Sequence, residues 1–314
     1  MSPQGTARRE PPAPAGPGPL ARLGRFVDRH LAVLFLLPGV GLIAIILTYP
    51  ILSNIYFSFT NKHLVFRDIR LIGFENFAYT LTDGDFYGAF GRTLVFTIAS
   101  VGLQLVFGFA VALLLNLPLP GRRYFRLAMI VPYAFPPVTV ALMWKWMLHS
   151  LFGVVNFILV GVGLIDQPIP WLSQGYTAMG AAIFVNLWFG FPLFALAILA
   201  GLQSIPQEHY EVARIEGAKA LQTFRYVVLP AVLRIVGIIV VLRTIWNFNT
   251  FDLLYVLTGG GPVNATETLP LYAYRIGWGQ KFIGQTAAIA VILSGVLALM
   301  IWFYFRLFRI ERDL

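Results

Sequence analysis

The residues with chemical potential in this sequence are the polar side chains set inside long apolar stretches. Arg243, Asn247 and Thr250 stand at i, i+4 and i+7 within the run from Ala231 to Leu257, so a helix places them on one face. On the same helical register Asn249 and Asp252 fall on other faces. Asn186, Trp188 and Gly190 interrupt a second apolar run, and Tyr133 lies beside the prolines of a third. Amides, hydroxyls and aromatic faces suit a polyhydroxylated ligand, exchanging hydrogen bonds with its hydroxyls while a ring stacks on its apolar face. The same groups also serve interhelical hydrogen bonding, worth about 0.6–2 kcal/mol per contact. For Arg243 two roles stay open. A guanidinium can hold a carboxylate, phosphate or sulfonate bidentately, or it can pair with an acidic residue, Asp252 being a poor fit by helical angle.

Catalysis is not written into these residues. The chain has no cysteine, hence no thiol nucleophile and no thiolate metal site. His30, His63, His149 and His209 lack metal-ligand spacing, so neither a catalytic nor a metal site is expected. No G-x-x-x-x-G-K-[ST] loop occurs, so any ATP and Mg²⁺ belong to a separate ATPase subunit. Gly259, Gly260 and Gly261 lack the following Lys and read as a helix terminus.

The elements that position the polar residues are membrane spans. With 58% hydrophobic residues, 12% charged residues and a mean hydropathy of +0.75, the 314-residue chain is excluded from the ordinary soluble class. Spans of about 20 apolar residues are expected at about 31–59, 88–117, 127–148, 177–202, 231–257 and 282–305. Pro, Ala, Gly and Arg dominate residues 1–29, which predicts a disordered cytoplasmic tail before a permease domain at 30–314. Lys and Arg divide fifteen to six between the two sides of such a topology. Both termini are therefore expected on the cytoplasmic side of a multi-pass protein embedded in membrane lipid. The net charge of +9 reflects these flanking arginines rather than a nucleic-acid partner.

Between the fourth and fifth spans lies a charged stretch, residues 205–230, IPQEHYEVARIEGAKALQTFRYVVLP, which has to lie in water. Pro206, Glu208 and Glu211 open an amphipathic helix, Gly217 interrupts it, and a second short helix through Phe224 and Tyr226 is expected to end at Pro230. This pattern resembles the docking loop of ABC importer permeases: Glu-Ala-Ala, three residues, Gly, nine residues, Ile, one residue, Leu-Pro. Here it stands as Glu211, Val212, Ala213, Gly217, Val227, Leu229 and Pro230, with every spacing kept.

Almost the whole chain after residue 30 is similar to the carbohydrate-uptake class of these permeases, most closely the F-type permease of maltose transporters. The segments VPYAFPPV, FVNLWFGFP and WNFNTFDLLYVLTGGGP carry that likeness. The resemblance implies an all-α fold of six transmembrane helices, the type I importer permease fold. It also implies a bacterial inner-membrane location, a second homologous permease, two cytoplasmic ATPase subunits and a solute-binding protein on the outer side. Glu211, Ala213, Gly217, Leu229 and Pro230 become ATPase-coupling residues. Tyr133, Asn186, Phe189, Gly190, Arg243, Asn247 and Thr250 become the sugar-contacting set, with Pro137 and Leu193 beside them. Four of these positions depart from that permease: Pro137 and Arg243 stand for serines, Leu193 for a tyrosine and Thr250 for an asparagine. The function implied is import of a sugar or sugar derivative by ATP-driven alternating access. Two alternatives remain, an ion-coupled secondary transporter and an ABC permease for an amino acid or phosphate ester.

Overall fold

A computed structural model describes residues 19–307. The chain divides after Asn54 into two compact units. The first is most of helix α1 (Pro19–Ser58), apolar on all sides from Phe35 onward, with Phe35, Leu42, Ile46 and Leu47 all exposed. A helix of that kind belongs in lipid or in a core. Its start lies inside the segment expected to be a disordered tail. Leu20, Ala21, Arg22, Leu23 and Arg25 are good helix formers, and Pro19 occupies the first turn, where its missing N–H costs nothing. Residues 1–18 of the expected tail lie outside the described residues.

The second unit is a helical bundle. Its elements are α2 (Glu75–Thr82), α3 (Gly84–Asn116), α4 (Arg122–Ala134), α5 (Pro137–Met147), α6 (Val154–Gly161), α7 (Gly175–Gln203) and α8 (Gln207–Ile215). The chain continues with α9 (Ala220–Thr223), a π-turn (Phe224–Val228), α10 (Leu229–Phe248), α11 (Asp252–Leu257), α12 (Leu269–Tyr274), a second π-turn (Arg275–Gly279) and α13 (Ile283–Leu307). Counting α1, five helical runs are long and apolar enough to cross a membrane, and α4 with α5 makes a sixth crossing if the bent pair is one span.

Small residues let the central helices approach. A Cβ placed on Gly108 of α3 would lie 2.5 Å from Phe194 Cβ of α7, and one on Gly201 of α7 would lie 3.0 Å from Ile235 Cδ1 of α10. Such glycine-mediated crossings are how helices pack where lipid removes the hydrophobic drive. Around them Phe194, Ile198, Val232 and Ile239 form one buried core. Phe96, Val140, Val185 and Leu254 form a second.

Three helix boundaries differ from the sequence expectation, each for a local reason. The third span is not a single rod: α4 and α5 meet at 97°. A residue preceding proline is pushed out of the α region, and Phe135 and Pro136, which precede Pro136 and Pro137, are both extended with ψ of 146° and 144°. The fifth span stops at Phe248 rather than Leu257, and α11 restarts the chain at Asp252. The second docking helix does not end at Pro230. It passes through the first π-turn directly into α10, because the wider i→i+5 spacing, seen in Leu229 N–H donating to the Phe224 carbonyl, accommodates a proline that has no N–H.

Candidate functional site

The two breaks face each other. Where α4 hands over to α5 and where α10 stops, they enclose a cavity of about 340 Å³. Tyr133 and Pro137 line it from the first break, Asn186 and Phe189 from α7, and Arg243, Trp246 and Asn247 from α10. Thr250 also lines it, but from the connection beyond the end of α10, so the single helical face expected for Arg243, Asn247 and Thr250 holds only for the first two. The same break brings Asn249 and Asp252 to the cavity wall, although on a continuous helix they would point elsewhere.

Aromatic and polar surfaces share this space. Tyr133 and Phe189 stack with ring centroids 5.5 Å apart, giving an apolar platform. Beside it a hydrogen-bonded chain runs through three helices. Gln104 of α3 donates Nε2–H to the Asn186 carbonyl at 2.8 Å and accepts Arg243 Nε–H on Oε1 at 2.9 Å. Asn186 donates Nδ2–H to Asn247 Oδ1 at 2.8 Å. Gln104, Asn186, Arg243 and Asn247 are all buried. Sequence reasoning missed Gln104, although a lone amide in an apolar span is the same kind of signal that singled out Asn186.

Two expected site residues have other positions. Gly190 does not line the cavity but sits beneath the Gln104–Arg243 pair. A Cβ there would meet the Arg243 guanidinium and would lie 2.5 Å from Gln104 Cδ, so only glycine admits this pair. Leu193 packs against the Phe194 core instead. Trp188 likewise belongs to packing, edge-on to Trp144 with centroids 5.6 Å apart. Arg243 has no ion pair among the described residues, Asp252 included, and its formal partner is the neutral Gln104. Nor do three or more His, Asp or Glu side chains gather in a metal-binding cluster among the described residues.

The second expected site is the charged stretch of residues 205–230. In α8, Glu211, Val212 and Ile215 are exposed, while Ala213 is buried against the loop's own base. The helix ends in a Schellman motif: Ala218 N–H donates to the Ala213 carbonyl at 2.9 Å and Gly217 N–H to the Arg214 carbonyl at 3.0 Å. That closure requires the left-handed conformation that Gly217 adopts at φ +72°, and a Cβ there would meet nothing within 4 Å. Between α8 and the α9 arm lies an open groove of about 440 Å³ bordered by His209, Val212, Gln222 and Tyr226. Leu229 and Pro230 are not on this surface but at the junction of the π-turn with α10.

At the other end of the spans, Glu267 knits three segments together. Its carboxylate accepts Arg275 Nε–H at 2.6 Å, lies 3.9 Å from Arg92 Nη2, and is almost fully buried. Its carbonyl accepts Arg92 Nε–H at 2.9 Å. Burial opposes the Arg275 charge, yet the hydrogen bonds it donates to Glu267 and Asp85, with their negative charges, outweigh it and hold the guanidinium above its ordinary pKa. Burial, reinforced by the O–H donated to Asp83, likewise pushes the Tyr272 phenol up.

Residues 104–310 match the family described as the binding-protein-dependent transport system inner membrane component. The sulfoquinovosyl glycerol transport system permease protein SmoG of Agrobacterium fabrum is 33% identical over 90% of this chain and 91% of its own length. The trehalose/maltose transport system permease protein MalF of Thermococcus litoralis is 31% identical over 92% of this chain and 97% of its own. A crystal structure of a bacterial ABC transporter for import of the acidic polysaccharide alginate superposes with a TM-score of 0.78 at 23% identity, covering 93% of this chain and all of that one, which fixes the fold. With its apolar helices and these likenesses, the chain belongs to the binding-protein-dependent inner-membrane component family and is a permease subunit of an ABC transporter, a transport component rather than an enzyme.

Proposed function

We propose that this subunit imports a sugar or sugar derivative across the inner membrane by ATP-driven alternating access. The observation that carries the reading is the cavity at the two helix breaks, whose lining combines the stacked Tyr133 and Phe189 rings with the Asn186–Asn247 amides. Stacked aromatic rings and fixed amide groups in one cavity supply partners for both the apolar and the hydroxylated surfaces of a pyranose ring. The named solutes of SmoG and MalF are likewise glycosides. Tyr133, Asn186, Phe189, Asn247 and Thr250 would contact the sugar, with Arg243 beside them.

Transport would need a second, homologous permease, two ATPase subunits carrying ATP and Mg²⁺ below, and a solute-binding protein above. The exposed ridge of Val212 and Ile215 with Glu211 would seat on an ATPase subunit, Gly217 and Ala213 shaping the helix that docks and Leu229 and Pro230 its link to α10. ATPase closure would then rock the spans and switch the cavity between the two sides.

The test is ATP hydrolysis by the assembled transporter in lipid vesicles, with and without its binding protein, over a panel of glycosides, amino acids and phosphate esters. Glycoside-stimulated hydrolysis that needs the binding protein is the expected result. Uptake that follows an ion gradient without ATP, or stimulation by amino acids alone, would refute the reading.

A further inference from the structure

The cavity has a surplus of unpaired hydrogen-bond donors concentrated on one positive charge. Arg243 is 3% exposed, yet of its five guanidinium N–H groups only the one on Nε has a partner among the described residues, the neutral Oε1 of Gln104. Asn247 is equally buried, and its Nδ2 has no acceptor because Oδ1 alone is engaged, by Asn186. A buried cation without a counter-ion is strongly disfavoured and is kept where something else completes it.

Asp252 does not complete it. That carboxylate is exposed at the first turn of α11, where solvent and the helix N-terminus stabilise it, and it makes no ion pair with Arg243. Nor is the guanidinium merely trapped by packing. Gly190 leaves out a side chain to make room for it, and Trp246 lies under it with Cζ 5.9 Å from the ring centroid.

We infer that the ligand is a sugar carrying an anionic substituent, a carboxylate or a sulfonate, and that Arg243 receives this group while the Tyr133–Phe189 platform carries the ring. The inference rests on the sugar-import reading above and narrows it. Nη1, the guanidinium nitrogen that is neither engaged nor sealed off, is the donor the cavity offers such a group, a charge-assisted contact stronger than one to a neutral hydroxyl. At about 340 Å³ the cavity lies at the small end of ligand pockets, which suits one or two sugar rings. Gln104 is then the specificity gate, since a neutral amide orients Arg243 without satisfying its charge. A carboxylate at that position would do both and would compete with the ligand.

The experiment is equilibrium binding to the complete transporter in nanodiscs, without its binding protein and held with a non-hydrolysable ATP analogue. Four labelled probes are compared: methyl glucuronide, methyl glucoside, glutamate and glycerol phosphate. Wild type is measured beside Arg243→Gln and Gln104→Glu, with the thermal midpoint of each complex recorded. The expected result is binding of the glucuronide in preference to the glucoside, falling about tenfold or more in both variants. Gln104→Glu exchanges the bond donated to the Asn186 carbonyl for an ion pair with Arg243, and its thermal midpoint separates a loss of binding from a loss of fold. Equal binding of glucuronide and glucoside, or glucuronide binding unchanged in Gln104→Glu, overturns the anionic inference and leaves sugar import standing. Binding of glutamate or glycerol phosphate in place of both glycosides overturns the sugar reading itself.

Discussion

Replacing Gly190 with alanine gives the sharpest test of the polar chain through the centre of the bundle. The added methyl group falls on the Arg243 guanidinium and 2.5 Å from Gln104 Cδ, closer than real Cβ contacts come, so one of the two side chains has to leave. Gln104 is held by two hydrogen bonds, from Arg243 Nε–H and to the Asn186 carbonyl, and moving it breaks both. A hydrogen bond involving a charged group contributes about 1.5–3 kcal/mol and a neutral one about 0.5–1.5 kcal/mol. The sum is a loss of about 2–4.5 kcal/mol, set against a gain of about 0.5–1 kcal/mol for alanine over glycine within a helix. Gly180 supplies the control on the same helix, because a Cβ there meets nothing within 4 Å and only the gain applies. Thermal midpoints of the purified complexes should therefore fall for Gly190→Ala and hold or rise slightly for Gly180→Ala. If the two variants melt together, Gly190 is not what admits the Gln104–Arg243 pair, and the reasoning fails.

At the docking loop, Gly217→Asn should retain most uptake because asparagine tolerates the left-handed region. Gly217→Val should lose it, with about 1–2 kcal/mol of local strain opposing the Schellman closure, while both proteins reach the membrane at normal levels on immunoblots. Uptake by the valine variant equal to wild type would remove Gly217 from the coupling role. At the opposite end, Glu267→Gln strips the carboxylate charge from Arg275 and Arg92; as both arginines are partly solvated, the cost should be about 1–3 kcal/mol. A thermal midpoint unchanged by that substitution, at low and at high salt, would show the ion-pair cluster to be energetically neutral.

How far the sequence could be read follows from where helices stay regular. The apolar runs, the amphipathic helix that follows Pro206 and its interruption at Gly217 all rest on periodicities or backbone constraints confined to a few neighbouring residues, and these carry through to the structure, where Gly217 is left-handed. Asn186, Asn247 and Tyr133 were legible because a polar side chain in an apolar run is conspicuous alone. What could not be read was geometry that depends on an interruption. The helical wheel that separated Thr250, Asn249 and Asp252 presumes a helix that has already ended at Phe248. The Pro136–Pro137 pair signalled a disturbance but not a 97° turn, which depends on what α5 packs against. Gln104 lies 139 residues from Arg243 and Arg92 lies 175 from Glu267, distances over which no local pattern speaks.

The continuity of the docking arm with the fifth span has a mechanical consequence. From Ala220 to Phe248 the chain is one helical run of 29 residues, with the π-turn as its irregularity. At about 1.5 Å per residue it is a strut about 43 Å long, and Arg243 rides on it about 35 Å from the end that faces the docking groove. A tilt imposed at that end does not have to be relayed through a series of separate joints. Under the proposed function it would reach Arg243 and Asn247 along the helix that carries them, so the arm that meets the ATPase and two residues lining the cavity belong to one continuous run.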